Sequence, residues 1–378
     1  MRDVVDRWRT SGARGAAVFF DMLTGLRPVR NVLGVSDPDV HKLDGRWVMF
    51  LGGMTNRLKV QLFTATLPIG APLSSGEWSL VTDPKRPTRA VPVVPLPPKG
   101  EWDSRGMHTP SYVRGRQPDG TTEERIYYAG HSARAVTGNR SRYSIGYLRR
   151  TATGWSRYGP PVHAGTPERP SVLEPLVRYD EGLWRMWYLS APHEVGPGEM
   201  PDYQLEYVES PDGIHWGTPE IMFTTVDGFF DNAVIAVDGH YEMVVARGTN
   251  LHGTPNFPEQ GLWWLRSPKP SGRRSDWTDH PVRLLNSEVE PLPWFANGGC
   301  GPAFHYGDTE ADRDTMYIFF TGTRRKINWF AHAVRRLLRG RRPPVPSPFH
   351  LATGRIEIPG MRVGDRPEQI GVPADRRE

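Results

Sequence analysis

Short stretches in which every second residue is apolar recur along the chain, each running into a Gly or Asp turn and then into a second, aromatic-rich stretch of the same kind. Five copies are legible: DPDVHKLDGRWVMFLGG from Asp37, TPSYV with RIYYAGHS from Thr109, EPLVRYDEGLWRMWYLSA from Glu174, DNAVIAVDGHYEMVVARG from Asp231, and GPAFHYGDTEADRDTMYIFFTG from Gly301. A two-residue period on both sides of a tight turn predicts a β-hairpin. Four of the hairpins are followed by a third alternating stretch and a Trp: VQLFTAT with Trp78, SIGYLRR with Trp155, LEYVESPDGIHW with Trp216, and GLWWLRS with Trp277.

Repeats of this size, each unable to bury its own faces, must pack against one another. The predicted architecture is all-β, a five-bladed β-propeller with four-stranded antiparallel blades around a central channel. Blades are expected to start near residues 35, 107, 172, 229 and 299 of one domain spanning 1–342. The fifth repeat lacks an outer strand. Either AAVFF at Ala16–Phe20 or, alternatively, HLATGRIEI from His350 is expected to complete it and close the ring, leaving no open edge. The Pro- and Arg-rich sequence at 343–378 reads as an irregular tail. The repeated Trp residues are expected to pack between blades.

Composition supports short strands over long helices: 11% of residues are aromatic and Gly with Pro number 77. Cys300 is the single cysteine, so no intrachain disulfide forms. Nothing at the N-terminus reads as a signal peptide, which makes a cytoplasmic location the expectation. No apolar run reaches the roughly 18 residues of a membrane span, so no membrane partner is expected. The net charge of +5 comes with 41 Arg against 6 Lys, a skew that reads as compositional bias, and no nucleic-acid motif accompanies it. The cluster Arg335, Arg336, Arg339, Arg341 and Arg342 reads as a solvated basic run, with contact to phosphate or an anionic surface as the alternative.

In a propeller the first strand of each blade lines the axis, so residues at one register face each other. Asp37, Glu174 and Asp231 each lie eight residues before their turn glycines, Gly45, Gly182 and Gly239. Thr109 and Gly301 stand near that register in repeats two and five. Carboxyls gathered out of water are driven toward their neutral form. One reading has Asp37 and Asp231 tying adjacent blades through backbone amides. The other has the three carboxyls performing acid/base chemistry on a glycosidic bond, with Glu174 the acid and Asp37 the base or nucleophile.

The segments SDPDV with DGRWVMF, and VLEPLV with GLWRMWY, resemble the five-bladed glycosidases, glycoside hydrolase family 43 and its relatives in families 32, 68 and 130, over roughly residues 34–335. The resemblance implies that Asp37 is the general base and Glu174 the general acid. That family also carries a blade-two Asp that tunes the acid, where this chain reads Met107-His108-Thr109-Pro110. Asp103, within EWDSRGMHTPS, or Asp231 is the candidate replacement.

His108, beside the vacated position, is a candidate proton carrier near neutral pH. His131, His193 and His305 are expected near strand ends at the channel, mostly in structural roles. Thr109, His131, Arg247, Trp294 and Arg324 join Asp103 and His108 as candidate substrate-binding residues, and Arg134 and Trp184 lie in or near the same loops. Segments 191–203, 249–261 and 287–300 are long enough to carry specificity. No His or Cys spacing suggests a metal site, and no cofactor is expected. The expected partner is a carbohydrate or other small molecule. Three functions fit: a glycoside hydrolase or glycosyl transferase, an intracellular tailoring enzyme catalysing cyclisation, elimination or rearrangement, and a non-catalytic carbohydrate-binding propeller.

Overall fold

The alternating stretches all become strands, because a two-residue period gathers apolar side chains on one face of a strand, where a neighbouring sheet covers them. The computed structural model describes residues 15–133, 142–193, 199–250, 254, 256–288 and 292–362. Sheet I is Val32–Leu43, Arg46–Thr55, Val60–Thr66 and the short Ser79–Leu80. Sheet II is Gly106–Arg116, Thr122–His131, Ser144–Thr151 and Gly154–Arg157; sheet III is Ser171–Asp180, Leu183–Ala191, Gln204–Ser210 and Glu220–Phe223. Sheet IV is Asp231–Val237, His240–Ala246, Gly261–Ser267 and Val282–Asn286. Each is antiparallel in chain order, and sheets I and II join through one parallel pairing of Val60 with Gly106.

Sheet V combines both ends of the chain: Gly299–Tyr306, Met316–Thr323, Leu351–Ile358 and finally Ala17–Asp21. The two segments read as alternatives for completing the fifth repeat are both used, one as third strand and one as fourth. The expectation of an irregular tail from residue 343 is thereby corrected for 351–358. The segment was legible only as an alternative because its alternation is broken by Gly354 and by Arg355, which is buried on the sheet face. The Arg355 guanidinium donates to the carbonyls of Leu73 and Ser74 and to Glu357, at 2.6 to 2.8 Å, and lies over the Tyr317 ring.

Five apolar clusters separate the sheets, one in each gap. Phe50, Leu62, Ile126 and Leu148 fill the gap between I and II, Tyr127, Tyr147, Trp184 and Val208 that between II and III. Trp187, Leu205, Met243 and Leu265 join III to IV, and Val244, Leu262, Ile318 and Ile356 join IV to V. Leu51, Phe63, Tyr317 and Phe319 then join V back to I. The repeated Trp residues serve these gaps: Trp78 packs on Phe319, Trp155 on Phe50, and Trp216 on Tyr127, each reaching the preceding sheet. Trp277 is buried in the cluster between III and IV. The first strands of the five sheets contact one another in the same cyclic order.

Candidate active site

Four of the five inner strands break their register at one place, between Ser36 and Asp39, His108 and Ser111, Leu173 and Leu176, and Cys300 and Ala303. Each break holds a residue followed by proline: Asp37-Pro38, Thr109-Pro110, Glu174-Pro175 and Gly301-Pro302. Proline has no N–H for the ladder, so the strand bulges there. The residue before it adopts the left-handed region, with φ of 54° at Asp37, 49° at Thr109, 52° at Glu174 and 55° at Gly301. Three non-glycine residues held in this costly conformation at equivalent positions mark strain that re-aims side chains. Sheet IV has no such bulge, and Asp231 opens its inner strand directly.

The bulges and Asp231 surround one cavity of about 30 Å³ on the axis. Asp37, Thr109, Glu174, Asp231, Asn232 and Gly301 line it, with the four prolines, Asp39 and Leu176, and no basic side chain is among them. Such a volume holds about two water molecules. Burial pushes the Asp37 carboxyl up to about 6, against an opposing hydrogen bond from the Ser36 hydroxyl at 2.8 Å. Burial and then the Asp37 charge push Asp231 to about 7, although the Gly301 amide donates to its Oδ2 at 3.2 Å. Glu174 is driven well above the usual carboxyl range, by burial first and then by Asp37 and Asp231. The three carboxyls thus meet electrostatically, and their surroundings favour the neutral form of Glu174.

Three more residues belong to this setting. Cys300 stands close enough that all three carboxyls add to the burial that raises its thiol pKa. Both polar atoms of the buried Asn232 amide lack a hydrogen-bond partner, as does the Thr109 hydroxyl, so the cavity wall offers unmet donors and acceptors. Sequence reading missed Cys300 and Asn232; the available signal was their adjacency to Gly301 and Asp231. His108 sits just outside: a Cβ on Gly52 would meet both its Cβ, at 3.2 Å, and Asp37 Oδ2, at 3.6 Å. Burial and the neighbouring His131 lower the His108 pKa to about 3, so its imidazole is neutral near pH 7 and the proton-carrier role does not fit. His131 packs with His108 and Tyr143, at ring separations of 6.1 and 5.0 Å.

The other candidates lie elsewhere. Asp103 is fully buried, clamped by Arg157 at 2.7 Å and by the Tyr128 hydroxyl, so it does not replace the blade-two carboxyl. Trp294 is core, stacked on Phe320 with ring centroids 4.6 Å apart, and Trp184 is core between sheets II and III. Arg324 pairs with Asp21 at 2.7 Å and fastens the N-terminal strand. Arg247 lies over the Phe229 and Trp263 rings and does not line the cavity. His305 donates from Nε2 to the Val40 carbonyl and lines other cavities, and His193 lies near Glu199. Arg134, with parts of segments 191–203, 249–261 and 287–300, lies outside the described residues. Among the described residues no group of three or more His, Cys, Asp or Glu has the geometry of a metal site.

No family model matches the chain. Two Mycobacterium tuberculosis proteins, both described as uncharacterized, are 28% identical over 195 residues, covering 48% of this chain and 62% of theirs. The chain thus spans about three fifths of the length of the curated relatives it matches. Among solved structures, one described as a glycoside hydrolase superposes with a TM-score of 0.59 at 12% identity, covering 97% of this chain and 98% of its own. A thermostable family-43 glycoside hydrolase gives 0.52 at 12% identity, covering 87% and 91%. An N-acetylgalactosamine deacetylase from F. plautii, in complex with blood group B trisaccharide, gives 0.55 at 14% identity, covering 90% and 94%. The chain therefore shares its fold with these solved structures, at 12–14% sequence identity.

Proposed function

We propose that the five sheets are the blades of a five-bladed propeller and that its axial cavity, with room for about two waters, is the acid/base floor of the active site of a glycosidase-like enzyme acting on a small glycoside or oligosaccharide. The observation that carries this reading is the meeting of Asp37, Glu174 and Asp231 in one cavity without a cation among its lining residues. Glu174, whose neutral form burial and the neighbouring carboxyls favour, is the general acid that protonates the leaving oxygen. Asp37, ionised above about pH 6, is the base that activates a water in the cavity or the nucleophile that attacks the sugar. Asp231 replaces the blade-two carboxyl, since its charge acts on Glu174 from sheet IV where Thr109 carries none. Thr109 and Asn232 offer hydrogen bonds to sugar hydroxyls.

The test is turnover by Glu174→Gln and Asp37→Asn against a panel of aryl glycosides and short oligosaccharides. General acid/base catalysis contributes roughly 10²- to 10⁴-fold, so each variant should lose that much, with Glu174→Gln spared on substrates whose leaving group needs no proton. Near-wild-type turnover by either variant refutes the assignment. The absent blade-two carboxyl favours a second reading, in which the same pair promotes cyclisation, elimination or rearrangement of a small metabolite. Product mass separates the two, because hydrolysis adds a water whereas rearrangement leaves the mass unchanged and elimination lowers it.

A further inference from the structure

Between the second and third strands of sheet V the chain makes its one α-helix among the described residues, Trp329–Leu337. The helix is firmly built. Asn328 caps its N-terminus, with Oδ1 accepting from the Ala331 amide at 3.0 Å. Trp329 donates to the Pro344 carbonyl at 3.0 Å, Ala333 is buried, and Arg336 donates to the Arg342 carbonyl at 2.6 Å. Yet Phe330, Val334, Leu337 and Leu338 are 73, 40, 59 and 83% exposed. Steps of four, three and one residue put these four on one helical flank, while Arg335 and Arg339 fall on the other.

An ordered helix that turns four large apolar side chains to water carries a surface of the kind that marks a binding site. The charge around it states the partner's chemistry. Residues 324–350 contain eight Arg and Lys, Arg324, Arg325, Lys326, Arg335, Arg336, Arg339, Arg341 and Arg342, and no Asp or Glu. Of these, Arg324 is engaged by Asp21, and Arg325, Lys326, Arg335, Arg339, Arg341 and Arg342 are exposed. An apolar stripe beside a basic flank matches a bilayer interface with anionic headgroups, where the stripe enters the acyl boundary and the guanidinium groups meet phosphate. A nucleic acid satisfies the charge and leaves the stripe in water.

We propose that this helix docks the protein on an anionic membrane surface. No helix among the described residues is long and apolar enough to cross a membrane, so the attachment is peripheral. This proposal replaces the sequence expectation of no membrane partner.

Co-sedimentation of the full chain with vesicles tests it, using pure phosphatidylcholine in one arm and phosphatidylcholine with about a third phosphatidylserine in the other. Binding is expected only to the anionic vesicles, and raising the salt from about 0.05 to about 0.5 M should release the protein. Leu337→Glu with Leu338→Glu should weaken binding at least about 10-fold, and Arg335→Gln with Arg339→Gln should erode the preference for anionic lipid. All four positions are exposed, and an unchanged melting curve verifies that the variants fold. No binding to either vesicle, equal binding to both, or full binding by the leucine variant overturns the proposal. A dimer seen by light scattering and dissolved by the leucine variant would assign the face to a second copy of the chain and overturn it equally.

Discussion

Gly301 stands between two of the three axial carboxyls, so replacing it with alanine probes how tightly the cavity is built. Its amide donates to Asp231 Oδ2 at 3.2 Å, and a Cβ at this position would lie 2.8 Å from Asp37 Oδ1 and 2.9 Å from Asp37 Cα. The second contact is with backbone and cannot be relieved by rotating a side chain, so the inner strands of sheets I and V must separate. The left-handed φ of 55° costs alanine roughly 1–2 kcal/mol, and overpacking adds about 1–3 kcal/mol. Gly301→Ala should therefore lose about 2–5 kcal/mol and should also displace the proposed base, lowering turnover. Gly45→Ala is the control: its φ is 76° and nothing lies within 4 Å of the added carbon, so it carries the backbone strain alone. Urea unfolding followed by tryptophan fluorescence gives both losses as midpoint shifts at constant slope. Equal losses in the two variants, with full turnover in Gly301→Ala, would refute the packing argument.

Two further outcomes follow from the same geometry. Asp37 and Asp231 have folded pKa values raised to about 6 and about 7, so between about pH 4 and pH 7 the folded state holds protons that the unfolded state has released, and their contribution to stability is lost as pH rises through that window. The buried His108, His131, His163 and His305, all with lowered pKa, act in the opposite sense, so the readout is a difference: the stability of Asp37→Asn/Asp231→Asn relative to wild type should rise by on the order of 6 kcal/mol from pH 4 to pH 7, and a constant difference contradicts the assignment. Arg324→Met, which strips Asp21 of its partner at the end of the N-terminal strand, should cost roughly 1–3 kcal/mol with turnover unchanged, and a double-mutant cycle with Asp21→Asn should show coupling.

Much of the fold was legible because a two-residue period around a glycine turn leaves few alternatives. The inner strands begin at Val32, Gly106, Ser171, Asp231 and Gly299, against expected starts near 35, 107, 172, 229 and 299. Leu351–Ile358 was legible only as one of two alternatives because a polar residue on a buried face breaks the alternation; the carbonyls of Leu73 and Ser74 and the Glu357 carboxylate make Arg355 tolerable there. Register alone sufficed to bring Asp37, Glu174 and Asp231 to one cavity. It failed for Asp103, Trp294 and Arg324, whose chemistry suits a ligand equally well and whose actual partners, Arg157, Phe320 and Asp21, are distant in sequence. The repeated residue-proline pair was visible in four copies, but its left-handed bulge was not, since proline disfavours the helical regions for its predecessor and an extended strand is the natural reading.

One reading weighed against catalysis gave the carboxyls of Asp37 and Asp231 a structural task, and Asp231 performs it by accepting from the Gly301 amide of the next sheet. A side chain to backbone hydrogen bond links each inner strand to a neighbouring sheet. The Asp39 carboxyl accepts from the Tyr112 amide, Ser111 from the Val177 amide, and Arg178 donates to the Val234 carbonyl. Asp231 accepts from the Gly301 amide, and Thr321 on sheet V accepts from the Asp37 amide at 2.9 Å. These five bonds run I to II, II to III, III to IV, IV to V and V to I. Two of them involve the proposed acid/base residues, and both reach sheet V, the sheet assembled from the two ends of the chain. Thr353, on the strand that only the C-terminal segment supplies, adds a bond from its hydroxyl to the Val35 carbonyl at 2.8 Å, two residues before Asp37. The position of Asp37 therefore depends on closure between residues more than 280 apart in sequence, and a chain opened at that seam would lose the hydrogen bond from its amide to Thr321.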